Sequence, residues 1–249
     1  MTRFMFPSPS EIWWCGGGAI AAGGAAWGAL APASRLWGPV VSRGTDDRAS
    51  VSLTFDDGPM PGASERILDV LGEMNVKAAF FVIGAVAQRH PQIVRRMHDE
   101  GHLIGNHSFS HAAAGFMRGP LFWRREVRLT DETIERIIQQ RPRLFRPPLG
   151  IKTPCTAWGA GRSHVTVTWT RRAFDGVATS TQRIMDRLVP HSQSGEILAL
   201  HDGVSPQSRR DPSATIEAIK PLIEGLRARR IEPVRLDVLT GIEPYITPT

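Results

Sequence analysis

Short apolar runs alternate with amphipathic stretches along most of the chain. The apolar runs are rich in β-branched and aromatic residues and predict strands at 51–55, 79–83, 101–105, 144–145, 165–169, 196–200 and 233–236. Between them, apolar residues recur at helical spacing and predict helices at 64–74, 91–100, 121–140, 179–188 and 214–229. This alternation of strands and helices favours an α/β fold with a parallel sheet.

A long uncharged stretch precedes the alternation. Residues 12–31 carry no charged side chain and contain Trp13, Trp14 and Trp27 among mostly Ala and Gly. About 20 such residues are needed to cross a bilayer, and Trp suits its interfaces. We therefore expect an N-terminal hydrophobic anchor and linker over 1–43, followed by one domain over 44–249. A cleaved signal peptide and a flexible soluble tail are the alternatives.

The composition is that of a globular protein with a basic surface. Of its 249 residues 41% are apolar, enough for a sizeable core, and the formal net charge is +6. A basic protein favours acidic surroundings, such as anionic lipid, phosphorylated carriers or acidic glycans. Nucleic acid is not an expected partner, because the Arg residues are dispersed and no nucleic-acid-binding motif occurs.

Two adjacent carboxylates, Asp56 and Asp57, end the first predicted strand and enter the Gly58-Pro59 turn. Neighbouring strand residues point to opposite faces, but at the end of a strand both side chains can reach one cavity. Two carboxylates in one cavity are costly unless a cation lies between them or one is protonated. The pair therefore indicates a metal site, a proton-transfer role, or both. A solvated Asp-Gly turn is the alternative.

A second cluster contains two imidazoles four residues apart, His107 and His111. On a helical turn these positions share a face, so both rings can bind one metal ion. With Asp57 they form a set of two His and one carboxylate, which is common at catalytic zinc sites. Two solvated His residues on a loop are the alternative.

Five short motifs, in this order, resemble those of the polysaccharide deacetylase family, also called carbohydrate esterase family four. They lie within residues 50–235 and stand at 54–59, 107–111, 146–150, 169–175 and 197–202. The family fold is a distorted, incomplete (β/α) barrel, and the resemblance implies six to seven parallel strands here. Every motif follows the C-terminal end of a predicted strand, where barrels of this class place their active sites.

The resemblance implies a metal-dependent hydrolase that removes an N-acetyl or other small acyl group from an amino sugar in a glycan or a lipid-linked saccharide. The implied ligands of a divalent metal, with zinc as the expected ion, are Asp57, His107 and His111. Asp56 is implied as the general base that takes a proton from the attacking water, and Arg146 as the cation that orients it.

His201 is implied as the general acid that protonates the departing amine, and Asp175 as the carboxylate that raises its pKa. The implied substrate contacts are Pro148, Gly150 and Ala199. Asp202 and Ser108 are weaker candidates, because each suits a turn cap equally well.

The sequence departs from the family pattern at four positions. Arg172 stands where the fourth motif usually has Asp, and Gly176 where it has Trp, so we expect one wall of the substrate groove to be open. Ala199 replaces a Leu that lines the acetyl pocket in the family, which suggests a roomier acyl pocket. Leu149 replaces a usual aromatic residue in the third motif.

These features leave other functions open. The alternatives are an O-acetyl esterase, a deformylase acting on a lipid-linked amino sugar, and a non-catalytic carbohydrate-binding relative. A metal-dependent phosphoesterase would usually require more carboxylates for a second metal. The uncharged stretch at 12–31 favours a membrane-anchored protein facing the periplasm or cell exterior, with the cytoplasmic face as the alternative.

Overall fold

The computed structural model describes residues 23–45, 48–112, 114–204 and 211–247. Its strands are β1 (Val40–Val41), β2 (Ser50–Asp56), β3 (Ala79–Val82), β4 (Leu103–Asn106), β5 (Arg141–Pro142), β6 (Leu144–Phe145), β7 (Val165–Val167), β8 (Arg171–Arg172), β9 (Glu196–His201), β10 (Glu232–Pro233) and β11 (Tyr245–Ile246). Its helices are α1 (23–30), α2 (Ala63–Glu73), α3 (Gly84–Arg89), α4 (Pro91–Asp99), α5 (Pro120–Ile138), α6 (Pro154–Ala160), α7 (Thr181–Leu188), α8 (Ser213–Ala228) and α9 (Leu236–Thr240).

Nine strands of the described chain form one sheet in the order β1-β7-β6-β4-β3-β2-β9-β8, with β10 paired to β2. All of its strand pairs are parallel, and β5 and β11 form a separate antiparallel pair. The end strands β1 and β8 do not pair with each other in the described residues, so the barrel is incomplete. The predicted α/β class is confirmed, and several of the added strands are too short to be recognised as apolar runs.

The central strand β2 is buried on both faces and separates two environments. Val51, Leu53 and Phe55 belong to a large apolar cluster that includes residues of α2, α4, α5, α7 and α8. Thr54 and Asp56 alternate with them and point to the other face, because successive side chains of a strand alternate. The polar end of β2 therefore lies inside the curved sheet, while its apolar side anchors the helices.

The register of the parallel strands brings the sequence motifs to one edge. Asp56, the last residue of β2, lies beside His201, the last residue of β9. Asn106 ends β4 beside Phe145 of β6, so the residues that follow them, His107 and Arg146, leave the sheet at the same level. Because parallel strands share a C-terminal edge, motifs far apart in sequence meet there.

Some predicted element bounds are wrong for local reasons. The strand predicted at 101–105 runs from Leu103 to Asn106, because Gly101 takes a φ of 86° in the turn after α4. The strand predicted at 233–236 stops at Pro233, since α9 begins at Leu236. The short helices α3, α6 and α9 carry too few turns to give a recognisable period.

The predicted membrane anchor requires correction. Residues 12–22 of the stretch lie outside the described residues, as does Cys15, and α1 covers residues 23–30. In the described ranges, no helix combines the length and the apolar character that a bilayer crossing requires. This finding contradicts the predicted membrane-anchored location, on either face of the membrane. Residues 29–45 contact the sheet domain, for example through β1, which pairs with β7, and the predicted division at residue 43 stays a prediction.

Candidate active site

Three potential metal ligands converge at the C-terminal edge of the sheet. Nε2 of His107 lies 3.4 Å and Nε2 of His111 3.2 Å from Oδ1 of Asp57. One ligand atom from each residue lies within 4.8 Å of the others, and all three residues are buried. This is the predicted set of two imidazoles and one carboxylate, brought to one point.

The backbone turns sharply at each end of this cluster. Asp57 has a φ of 72°, which turns the chain immediately after β2. The prediction that His107 and His111 share a helical turn is wrong: residues 107–111 form a loop, with Ser108 at a φ of 65° and His111 at 48°. Left-handed conformations are uncommon for residues other than Gly and need outside support.

That support comes from a strand end and a distant helix. The amide of Ser108 donates to Oδ1 of Asn106 at 2.8 Å. Glu126 on α5 accepts hydrogen bonds from the amides of Phe109 and Ser110 at 3.1 and 2.7 Å. Nδ2 of Asn106 in turn donates to Oδ1 of Asp131 at 2.7 Å, which fixes the loop to α5.

The protonation states of the cluster suit a cation. Nδ1 of His107 lies 2.7 Å from the carbonyl oxygen of Arg146; since a carbonyl only accepts, Nδ1 is the donor there and Nε2 is the ring nitrogen that faces Asp57. Burial, and next the neighbouring His107, lower the pKa of His111 to about 4 despite the nearby carboxylates. Burial alone would raise the pKa of Asp57, but both imidazoles hold it well below the usual range.

The buried Oδ1 of Asp57 makes no hydrogen bond, although both Nε2 atoms are close to it. Burying a carboxylate oxygen without a hydrogen-bond donor costs free energy. Ligand atoms that converge on one point are the arrangement found in a metal coordination shell. Two imidazoles with one ionised carboxylate fit a divalent cation that keeps an open coordination position.

Arg146 and Asp56 form a buried ion pair on one flank of this cluster. Nη1 of Arg146 donates to Oδ1 of Asp56 at 2.7 Å and to Oγ1 of Thr54 at 2.9 Å. Its remaining nitrogens donate to the carbonyls of Val167 and Thr168, and its guanidinium lies 4.0 Å from the centroid of the Phe81 ring. Because the Arg146 side chain is 0% exposed and all three of its nitrogens donate hydrogen bonds, it is held in one orientation.

His201 and Asp175 form the second flanking pair. Nδ1 of His201 donates to Oδ1 of Asp175 at 2.8 Å, and the amide of His201 donates to Oδ2 at 3.0 Å. Thr215 on α8 also donates to Oδ2, at 2.8 Å. Burial by itself lowers the pKa of His201, but Asp175, with smaller contributions from Asp56 and Asp57, raises it to about 9.

Asp202 lies behind the metal-ligand cluster. Its Oδ2 accepts a hydrogen bond from Ser64 on α2, and a side chain at Gly58 would collide with it at 2.1 Å. Burial raises the pKa of Asp202 to about 7 despite that hydrogen bond. Ser108, the other weak candidate, holds the His loop: its amide donates to Asn106 and its hydroxyl oxygen accepts from the amide of His111, and it supplies no ligand atom to the cluster.

The predicted substrate contacts are buried residues near Arg146 and His201 in the chain, and their role stays a prediction. Pro148 and Gly150 belong to a short 3-10 turn after Arg146, and Gly150 has a φ of 68°. A Cβ on Gly150 would lie 2.4 Å from the Trp169 ring, so this position requires glycine. Ala199 is 2% exposed and lies in β9, two residues before His201.

Sequence reasoning missed the residues that hold these groups. Thr54 and Thr215 each support one ion pair, and Glu126 and Asp131 fix the His loop from α5. No local signal distinguishes them, since each contacts its target across a long sequence separation. Asn106 had a usable signal, because it directly precedes the first His of the pair.

Comparison with known proteins finds a matching family and several relatives. The model of the family described as polysaccharide deacetylase matches residues 43–167. A chitooligosaccharide deacetylase from Bradyrhizobium sp. is 34% identical over 191 residues, which cover 74% of this chain and 87% of that protein. A peptidoglycan-N-acetylglucosamine deacetylase from Bacillus cereus is 34% identical over 64% of this chain, and the match spans only 58% of that relative.

The fold has a matching solved structure. The crystal structure of the peptidoglycan N-acetylglucosamine deacetylase Bc1960 aligns with a TM-score of 0.75 at 28% identity, over 82% of this chain and 94% of that chain. The predicted distorted, incomplete barrel is thereby confirmed. The family match, the relatives and the fold agree: the chain belongs to the polysaccharide deacetylase family.

Proposed function

We propose that this protein is a metal-dependent hydrolase that removes the N-acetyl group from an amino sugar of a glycan. The observation that carries the proposal is the convergence of Asp57, His107 and His111. Two ion pairs flank these residues, one between Arg146 and Asp56 and the other between His201 and Asp175. The names of the relatives support the substrate class, since they are deacetylases of peptidoglycan and of chitooligosaccharides.

Asp57, His107 and His111 would hold the metal. Two nitrogen ligands and one oxygen ligand favour zinc among common divalent ions. When bound, the ion supplies a Lewis acid that polarises the acyl carbonyl and lowers the pKa of a coordinated water toward ~7.

Asp56 acts as the general base and accepts a proton from the attacking water. The hydrogen bond from Nη1 of Arg146 to Oδ1 orients the carboxylate and leaves Oδ2 for the proton. Arg146 does not exchange protons near neutral pH, so its positive charge stays beside the base through the reaction.

His201 acts as the general acid and donates its Nε2 proton to the departing amine nitrogen. Its Nδ1 is held by Asp175, so the remaining N–H is the one available for donation. With a pKa of about 9, the imidazole is protonated at neutral pH. The resulting amine and carboxylic acid are the products of hydrolysis.

Substrate contacts are assigned to Pro148, Gly150 and Ala199. Gly150 lets the Trp169 ring pack closely against the backbone that follows Arg146, and that ring gives a sugar an apolar surface. The small side chain of Ala199 leaves room for an acyl group larger than that of the family pattern, so formyl, acetyl and propionyl substrates belong in the same assay.

The test is release of free acid from a panel of N-acylated oligosaccharides, O-acetylated oligosaccharides and lipid-linked amino sugars. We expect acetate from N-acetyl oligosaccharides, loss of release with a chelator, and recovery on adding Zn²⁺. Release from O-acetyl substrates alone would identify an esterase. Absence of release from every member, with metal bound, would favour the non-catalytic alternative and overturn the proposal.

A further inference from the structure

A groove of about 500 Å³ opens beside β8, and none of the residues assigned to the reaction lines it. Its lining includes the aromatic and charged side chains of Trp169, Arg171, Arg172, Phe174, Asp186 and Arg187. We refer to it as the β8 groove. Its wall is made of aromatic rings and guanidinium groups, a combination that binds neither metal ions nor apolar ligands well.

The Trp169 ring connects the β8 groove with the candidate active site. The Trp169 ring packs against Gly150, and its centroid is 5.7 Å from Cζ of Arg146 and 5.8 Å from Cζ of Arg172. At the other end, Phe174 directly precedes Asp175, the partner of His201. A glycan that extends from the active site across the Trp169 ring would reach this groove.

Two guanidiniums of the groove have no carboxylate partner among the described residues. Arg172 is exposed, and its Cζ lies 4.1 Å from the centroid of the Phe174 ring. Arg187 lies 5.3 Å from the same ring and donates to the neutral carbonyl of Ala173 at 2.8 Å. Stacking on an aromatic face fixes a guanidinium plane and leaves its N–H edge available for an anion.

The other charges of the groove do not cancel these two. Arg171 is neutralised by Glu196, with a contact of 3.0 Å. One carboxylate of the lining, Asp186, accepts a hydrogen bond from Gln182 at 2.7 Å and offsets one positive charge. The groove therefore keeps an excess of positive charge in a concave site, which attracts anions.

Some arginines elsewhere on the surface of the described chain are paired with carboxylates. Arg96 contacts Asp69 at 2.6 Å, Arg128 contacts Glu132 at 2.8 Å, and Arg227 contacts Glu232 at 2.7 Å. Arg172 and Arg187 have no such partner in the described residues, and both lie over the Phe174 ring in the β8 groove, where an anionic ligand could pair with them.

We propose that the β8 groove is a subsite that binds an anionic group, a carboxylate or a phosphate, carried by the unit next to the reacting amino sugar. This inference rests on the proposed function and extends it: the preferred substrate is an acidic glycan. Arg172 supplies the principal contact, Arg187 a second, and Trp169 and Phe174 contact the sugar ring and hold the guanidiniums.

Three oligomers of equal length test the proposal: neutral N-acetylglucosamine oligomer, the same oligomer with a terminal carboxylate, and the same with a terminal phosphate. Calorimetry measures binding, and acetate release measures turnover, for the metal-loaded protein. We expect at least one charged oligomer to bind about tenfold more tightly than the neutral one, a preference that shrinks at high salt. Which charged oligomer is preferred distinguishes a carboxylate from a phosphate.

Variants assign the preference to the groove. Arg172→Gln should lower the charged-to-neutral binding ratio by about tenfold, and Arg172→Lys should retain part of it, because Lys keeps charge but lacks the planar fork. Arg183→Gln is the matched control: it removes one exposed Arg of α7 that does not line the groove, and should preserve the ratio.

Equal binding of all three oligomers by the unaltered protein would overturn the proposal, and so would equal losses in Arg172→Gln and Arg183→Gln. The two measurements separate this inference from the proposed function. Acetate release without any charge preference refutes the subsite alone. A charge preference that depends on Arg172, without acetate from any oligomer, refutes the deacetylase and leaves the anion site standing.

Discussion

Two ion pairs flank the metal-ligand cluster, and their cationic side chains differ in solvent exposure and in the number of hydrogen bonds that they make. The Arg146 side chain is 0% exposed and donates to four oxygens, whereas the His201 side chain is 24% exposed and is held at one nitrogen. A guanidinium keeps its proton through the reaction, but an imidazole can lose and regain one. The fold encloses the cation whose charge must stay and leaves the titrating one near solvent.

The same contrast appears in the supporting residues. Thr54 and the carbonyls of Val167 and Thr168 fix the Arg146 fork from strands of the sheet. The second pair depends on Thr215, which belongs to helix α8 and is not part of the sheet. Under the proposed function, changes on the first flank should affect rate at every pH, and changes on the second should also move the pH profile.

The largest effect is expected from Asp56→Asn. The amide cannot accept the proton, so kcat should fall by about 10²- to 10⁴-fold at all pH values. Metal content should stay at the level of the unaltered protein, because Asp56 is not among the three convergent ligands. Steady-state kinetics with metal analysis checks both. Loss of metal with retention of rate per bound metal would mean that Asp56 and Asp57 have exchanged roles.

Asp175→Asn should have a smaller effect and a different pH signature. Asp175 is the main favourable influence that raises the pKa of His201 to about 9, so its removal lowers that pKa. Because the acid must be protonated, the alkaline limb of the kcat/KM profile should move to lower pH, with a loss of about 10²-fold at pH 8. An unchanged alkaline limb would remove the assignment of His201 as the acid.

The smallest effects are expected from a matched pair, Thr215→Val and Thr54→Val. Each removes one hydrogen bond to an ion pair, which is worth about fivefold in rate. Thr215→Val should also shift the alkaline limb slightly to lower pH, whereas Thr54→Val should lower the rate without moving it. Identical pH profiles in the two variants would erase the distinction between the flanks.

Folding stability gives an independent measure of the second flank. Since the pKa of His201 is raised from 6.5 to about 9, its contribution to stability is fully present below pH 6.5. It is lost as the pH rises toward 9. Denaturant unfolding should therefore show a decline over this range in the metal-free protein, and Asp175→Asn should weaken that decline. A decline of equal size in both proteins would assign it to other groups.

The sequence allowed the motif residues to be predicted because each follows an apolar strand. Asp56 and His201 end strands with recognisable apolar runs, and parallel pairing brings strand ends together. The fold class followed from the same alternation. The open groove wall expected from Gly176 and Arg172 in place of the family residues stays a prediction.

What could not be predicted depends on contacts across long sequence distances. The loop at 107–111 is not a helical turn, because Glu126 and Asn106 hold its amides instead of a helical ladder. Equally, nothing near Thr215 in the sequence indicates that its hydroxyl reaches Asp175. The membrane prediction rested on the absence of charge in residues 12–31, and absence of charge is a weaker criterion than a long apolar helix.

Metal content after dialysis tests the central claim most directly. We expect the unaltered protein to retain one divalent ion per chain, measured by plasma mass spectrometry, and both His107→Ala and His111→Ala to lose it while keeping their circular dichroism spectra. His90→Ala removes an imidazole outside the ligand cluster and should keep the ion. Full metal content in either ligand variant would contradict the account.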